Sequence, residues 1–213
     1  MVELEPIEAD TTAPRLRRTP RQARAKDKVA RALVAADRLL AEEGINALTI
    51  TRVAAEAGVS VGALYQYLPD RDAIVEALAD QHLGRLEALM DSFVATARPE
   101  DPSDPVAVLV DAFAHHYRSE PGFRALWFGR HLTEWTSEAD RRHKRDMAAG
   151  VHRFLVARLL LPDSPAAATA CYVAFLAADA VIQEAFRGDP ADADELLDAL
   201  KSMLHAQLDG FTR

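Results

Sequence analysis

Apolar residues recur at three- and four-residue steps along most of the chain. Val29, Leu33, Ala36, Leu39 and Leu40 form the first such stripe after Lys28, and Gly44 supplies its C-terminal stop. The same period predicts helices near 50–57, 61–68, 71–97, 105–118, 122–132, 137–160, 165–187 and 191–210. Breaks fall at Gly58, Pro69, the run from Pro99 to Pro105, Pro121, Pro162 to Pro165, and Gly188 to Pro190. No run alternates with period two and β-branched residues are few, so the expected fold is all-α. Residues 1–20 are charged, contain three prolines and show no apolar period, and so read as an arm that is disordered when free. No internal repeat of 20 to 50 residues is visible.

Between Leu48 and Val75 the pattern becomes specific. Thr49 can cap a short helix whose core face is Ile50 and Val53, with Ala54 small where a second helix must cross closely. Gly58 allows the positive φ of a tight turn, Val59 plugs the corner, and Ser60 caps the next helix. Leu64, Tyr67 and Leu68 anchor that helix inward, which turns Val61, Gly62, Ala63, Tyr65 and Gln66 outward or toward its leading end. Two short helices joined by a Gly-containing turn make a helix-turn-helix, whose second helix fits the major groove of DNA.

Charge distribution changes the picture that the net value of −8 would give. Residues 11–75 carry 11 Lys and Arg against 7 Asp and Glu, whereas 76–213 carry 14 against 22. Seven of those 11 cations lie between Arg15 and Lys28, opposed only by Asp27. A basic end on an acidic body suits a polyanion held at that end alone. The other reading of the arm is a solvated tail.

Other chemistries find no support. The single cysteine, Cys171, excludes an internal disulfide framework and a multi-cysteine zinc site, reads as a small buried apolar residue, and leaves the cytoplasm as the expected compartment. Adjacent His115 and His116 point about 100° apart on a helix and cannot share an ion from one face. His131 lacks the partners of a zinc protease motif, and no phosphate loop or nucleophile elbow occurs, so no catalytic residue, metal or cofactor is expected. The longest uncharged stretch, Ser164 to Ala178, is 15 residues, short of the about 20 that a spanning helix needs, and no membrane partner is expected.

From the Arg-rich arm through Gly44, Leu48-Thr49, Val53-Ala54, Gly58-Val59-Ser60, Leu64-Tyr65, Tyr67-Leu68 and Arg71, the chain resembles the N-terminal DNA-binding domain of the TetR family of bacterial transcriptional regulators. The resemblance covers about residues 21–75. It implies a three-helix DNA-binding domain there and a larger helical ligand-binding and dimerisation domain over 76–213. It implies a dimeric repressor, binding a palindromic operator, whose ligand moves two reading heads apart. By position, Thr49, Thr51 and Arg52 would touch the sugar-phosphate backbone or nearby base edges. Val61, Gly62, Ala63 and Gln66 would face the bases, Tyr65, Tyr67 and Arg71 the phosphates, and Ser60 would belong to the same DNA-binding surface. Pro69 and Asp70 depart from the Lys or Asn often found there. Gln66 is the one side chain among these able to pair bidentately with adenine, while Val61 and Ala63 suit thymine methyls. Arg18 and Arg21 of the arm would enter an adjacent minor groove.

Modest readout per head calls for two half-sites and hence a homodimer. Stripes at Phe175, Ile182 and Phe186 and at Leu197, Leu200, Leu204 and Leu208 suggest a four-helix bundle across a two-fold axis. Between head and bundle lies a concentration of aromatics and histidines. Phe113, His116, Tyr117, Trp127, His131, Trp135 and Tyr172 are candidates for an apolar or aromatic small-molecule effector, though such residues at helical spacing also serve as core. Asp179 and Gln183 stand on an otherwise apolar helix, where a polar group needs a ligand or a partner such as Arg130 or Arg158. The competing reading is a dimeric helical small-molecule-binding protein whose head contacts another protein.

Overall fold

The computed structural model describes residues 23–129, 132–187 and 190–211. The arm with Arg18, as well as Arg21, Arg130 and His131, lies outside them. Nine α-helices and no strand occur among the described residues. They are α1 (Ala23–Glu43), α2 (Ile50–Ala57), α3 (Val61–Tyr65), α4 (Arg71–Thr96), α5 (Pro105–Ser119), α6 (Pro121–Phe128), α7 (Glu134–Ala157), α8 (Pro165–Arg187) and α9 (Pro190–Asp209), with a 3-10 turn at Ile45–Ala47.

Helices α1, α2 and α3 close around Ala32, Ala36, Leu40, Val53, Ala54 and Leu64, all at most 1% exposed. The first half of α4, from Ala73 to Ala79, is wholly buried beneath them. It carries the chain from this head into a body in which α4 packs along α7, α7 on α8, and α8 on α9, with α5 and α6 closing the near side. The polar positions that begin α2 and α3 act as the sequence predicts. Thr49 Oγ1 accepts from the Arg52 amide at 3.2 Å, and Ser60 Oγ from the Ala63 amide at 3.4 Å. Gly58 lies at φ 63, ψ 36, in the left-handed region where a side chain is strained.

Four helix ends differ from expectation. The third helix stops at Tyr65, and Gln66 and Tyr67 form a turn closed by the Tyr67 and Leu68 amides on the Leu64 carbonyl, both at 2.9 Å. Leu68 precedes Pro69, which disfavours the helical region for it, and Asp70 restarts the chain as the α4 cap, accepting from the Ala73 amide at 2.8 Å. Helix α6 ends at Phe128 and α7 begins at Glu134, where Thr133 accepts from the Thr136 amide at 3.1 Å. At its far end α7 stops at Ala157 because Leu159 takes a left-handed conformation, φ 58, that no glycine announces.

Helix α8 is 23 residues long and apolar enough to cross a membrane by length and composition, and most of that stretch is not buried in its own subunit. The 15-residue uncharged stretch therefore does not decide the question as the sequence suggested, because the helix runs on through Asp179 to Arg187.

Candidate nucleic-acid interface and effector chamber

The head presents its predicted residues together. Thr49, Thr51, Arg52, Ser60, Gly62, Tyr65, Gln66 and Arg71 are exposed, and Val61, Ala63 and Tyr67 are half-buried. Tyr65 is 44% exposed beside fully buried Leu64, so α3 keeps one side in the core and offers the other to solvent. Nothing within 4 Å would meet a side chain at Gly62, which leaves the leading end of α3 open to close approach. The cations of the head divide by task. Arg31 donates to the Ala57 carbonyl at 3.2 Å and Arg38 pairs with Glu56, so both hold α2 against α1. Arg52 pairs with Glu43, and Arg71 stands 3.9 Å from Asp72. Both are exposed charges held only by exposed partners, easily exchanged for a phosphate.

In the body, two adjoining chambers share Phe113, Tyr117, Phe175 and Asp179. The larger is walled by Leu109, Val110, Val151, Ala178, Ile182 and Leu204. The smaller reaches Trp127, Asp140, His143 and Lys144. Polar groups cluster at that end. Lys144 Nζ lies 2.8 Å from Asp140 and 2.9 Å from Asp179, Trp127 Nε1 donates to Asp140 at 3.1 Å, and Gln183 donates to Asp179 at 2.8 Å. Burial pulls the Lys144 ammonium down, but hydrogen bonds and charge from the two carboxylates outweigh it and hold its pKa above the ordinary lysine value. Burial, then the Asp179 and Asp140 charges, push the Tyr117 phenol far up, so it stays a neutral donor.

Phe113, Tyr117, Trp127 and Asp179 thus line the chambers, and Gln183 touches them through Asp179. The other candidates stand elsewhere. His116 packs edge-on against Phe123, 4.8 Å between centroids, near the junction with the head. Trp135 lines a polar recess between α4 and α7 with Asp80 and Arg142, and Tyr172 lines neither chamber. Asp179 is paired with Lys144, not with Arg158, whose buried guanidinium donates to the Asp101 and Ser103 carbonyls, both at 2.7 Å, and pins the α4–α5 loop to the end of α7. Sequence reading missed Lys144 and Asp140. Their i,i+4 spacing was the available signal, hidden in a run of charges that reads as a solvated face.

Most of the predicted pairing stripe faces inward in this chain. Ile182, Leu197 and Leu200 are only 2–3% exposed and pack inside their own subunit. Phe175 points into the chambers, edge-on to Phe113, and Phe186 stacks on Tyr117 at 5.5 Å. Leu204 and Leu208 line apolar hollows among α5, α7, α8 and α9. What α8 and α9 leave outside is a second stripe, with Val173 58%, Leu176 39%, Leu196 36% and Met203 45% exposed. Gln207 donates to the Ala170 carbonyl at 3.1 Å, a register that brings Met203 about level with Val173 across the antiparallel pair. Cys171 is buried as expected, and burial raises its thiol pKa to about 11.

A capped three-helix head with the outer side of α3 open, carried on a larger helical body, defines a helix-turn-helix protein. Comparison with known proteins agrees. A family model described as "Bacterial regulatory proteins, tetR family" matches residues 32–78, and one described as "Tetracyclin repressor-like, C-terminal domain" matches 100–211. The chain belongs to the TetR family of DNA-binding transcriptional regulators. It is 30% identical over 102 residues to the nucleoid occlusion factor SlmA of Haemophilus ducreyi, covering 47% of this chain and 48% of that protein. It is 28% identical over 135 residues to the regulator EthR of Mycolicibacterium smegmatis, covering 57% and 61% respectively. The chain thus spans about half the length of these relatives. A TetR-family regulator from Streptomyces coelicolor shares its fold at TM-score 0.68 and 22% identity, over 87% of this chain and 97% of that one.

Proposed function

We propose that the protein is an effector-responsive repressor that binds a palindromic operator as a homodimer. Residues 21–75 form the DNA-binding head and 76–213 the effector and pairing body. The observation that carries this reading is the uncovered outer side of α3 and the start of α2, where Gly62, Tyr65, Gln66, Thr49, Thr51, Arg52 and Arg71 stand exposed over a fully buried support. Phosphates take Arg52, Arg71 and the Thr and Tyr hydroxyls, while Val61, Gly62, Ala63 and Gln66 meet base edges in the major groove. Ser60 keeps a hydroxyl donor after capping. Pairing uses the outer stripe of Val173, Leu176, Leu196 and Met203, since the apolar side of α8 otherwise meets water.

Effector binding in the chambers shifts α4, whose buried N-terminal half supports the head, so that two recognition helices no longer match half-sites about 34–36 Å apart. Titration of genomic fragments tests the reading. Expected is nanomolar-range binding that weakens steeply with salt, and that Tyr65→Ala and Arg52→Ala each weaken by about tenfold or more, Arg52→Ala also reducing the salt slope by about 1. Absent or salt-insensitive binding would instead favour a head that contacts another protein.

A further inference from the structure

The chamber described above has an apolar majority and one charged corner, and the corner has a sign. Two carboxylates, Asp140 and Asp179, face a single ammonium, Lys144, so the three groups sum to one negative charge at neutral pH. All three are largely withdrawn from water, with side chains 18–20% exposed. Of the remaining polar neighbours, Trp127 donates to Asp140 and Gln183 to Asp179, while His143 in the same lining faces Glu87 at 3.0 Å. Beside this corner stand the rings of Phe113, Tyr117, Phe175, Phe123 and Trp127, whose faces are the negative ends of their quadrupoles. Two half-buried carboxylates that share one ammonium are a costly arrangement, and a ligand that brings a second cationic group to them relieves it.

Resting on the proposal that these chambers hold the effector, we infer that the effector is an organic cation: an apolar or aromatic body bearing a protonated amine seated between Asp140 and Asp179. Lys144 already demonstrates the geometry, because its own ammonium sits within hydrogen-bond reach of both carboxylates. The incoming amine shares that seat or displaces the lysine toward solvent. An anionic effector would meet two carboxylates and a lysine already committed to both. A neutral one would leave the excess charge unrelieved. The seat also connects to the rest of the molecule, because Asp140 lies on α7, Asp179 on α8, and the indole bonded to Asp140 on α6.

Three probes of one shape and different charge separate the outcomes: 8-phenyloctylamine, 8-phenyloctan-1-ol and 8-phenyloctanoate, titrated calorimetrically into the full chain at pH 7. The amine is expected to bind at least about tenfold more tightly than the alcohol, and the carboxylate most weakly. Asp179→Asn should reduce amine affinity by about tenfold or more while leaving the alcohol within about twofold, which also reports that the variant has folded. Lys144→Met should tighten the amine, since both carboxylates then face it alone. If the carboxylate or the alcohol equals or exceeds the amine, or if Lys144→Met selectively abolishes carboxylate binding, the charge assignment is overturned and the chamber remains an effector site. If none of the three binds, the effector chamber itself is wrong and the assignment falls with it.

Discussion

The imidazole of His116 lies where the head meets the body, edge-on to Phe123 at 4.8 Å and 6.4 Å from the ring of His82. Burial, then the neighbouring His82 and Arg85, lower its pKa from 6.5 to about 4. The sign of the consequence follows from which state holds the proton. Between about pH 6.5 and 4 the unfolded chain binds a proton that the folded chain refuses, so this residue makes stability fall as pH drops through that window. Replacing it with a ring that cannot titrate should flatten the decline. Melting temperatures of the wild type and His116→Phe, compared from pH 7 to pH 4.5, check this, and parallel curves would contradict it. His82 is the fixed point beside it, fully buried, with Nε2 2.8 Å from Asp37 Oδ1 on α1 and Nδ1 without a hydrogen-bond partner among the described residues.

At the scale of elements, the first turn of α6 touches α1 more closely than a side chain would allow. A Cβ at Gly122 would stand 2.1 Å from Asp37 Oδ1, the same atom that His82 holds. Gly122→Ala is therefore expected to drive Asp37 off His82 and lower stability by about 1–3 kcal/mol through the unpaired buried imidazole, measured by denaturant melts. Asp37→Ala alone should cost about as much, and the double variant no more than either single change, which would attribute the loss to that contact.

Such contacts are invisible in one sequence, whereas the caps, the Gly58 turn and the apolar faces of α1 and α2 were legible because each depends on residues within a turn of one another. The inward position of the predicted pairing stripe has a physical reason. Helices α8 and α9 are apolar on two sides, and periodicity finds the strongest stripe, which is the one their own core takes. The polar corner was half legible: Asp179 and Gln183 stood out on an apolar helix, while Lys144 was lost among charges. Long-range partners such as Lys144 with Asp179 are set by how α7 lies on α8, which no local pattern specifies.

For the whole molecule, the exposed stripe makes a prediction that the inward one does not. Leu176→Glu combined with Met203→Glu should turn the proposed dimer into a monomer in analytical ultracentrifugation and abolish operator binding. Leu197→Ala should leave pairing intact and cost about 2–5 kcal/mol of stability, because Leu197 belongs to the interior. A double variant that stays dimeric would remove the outer faces of α8 and α9 from the interface. The same uncovered side of α8 bears on supply. If two copies must meet to hide it, the competent species grows with roughly the square of subunit concentration at low abundance, so occupancy of a promoter would respond sharply to how much of the chain is synthesised.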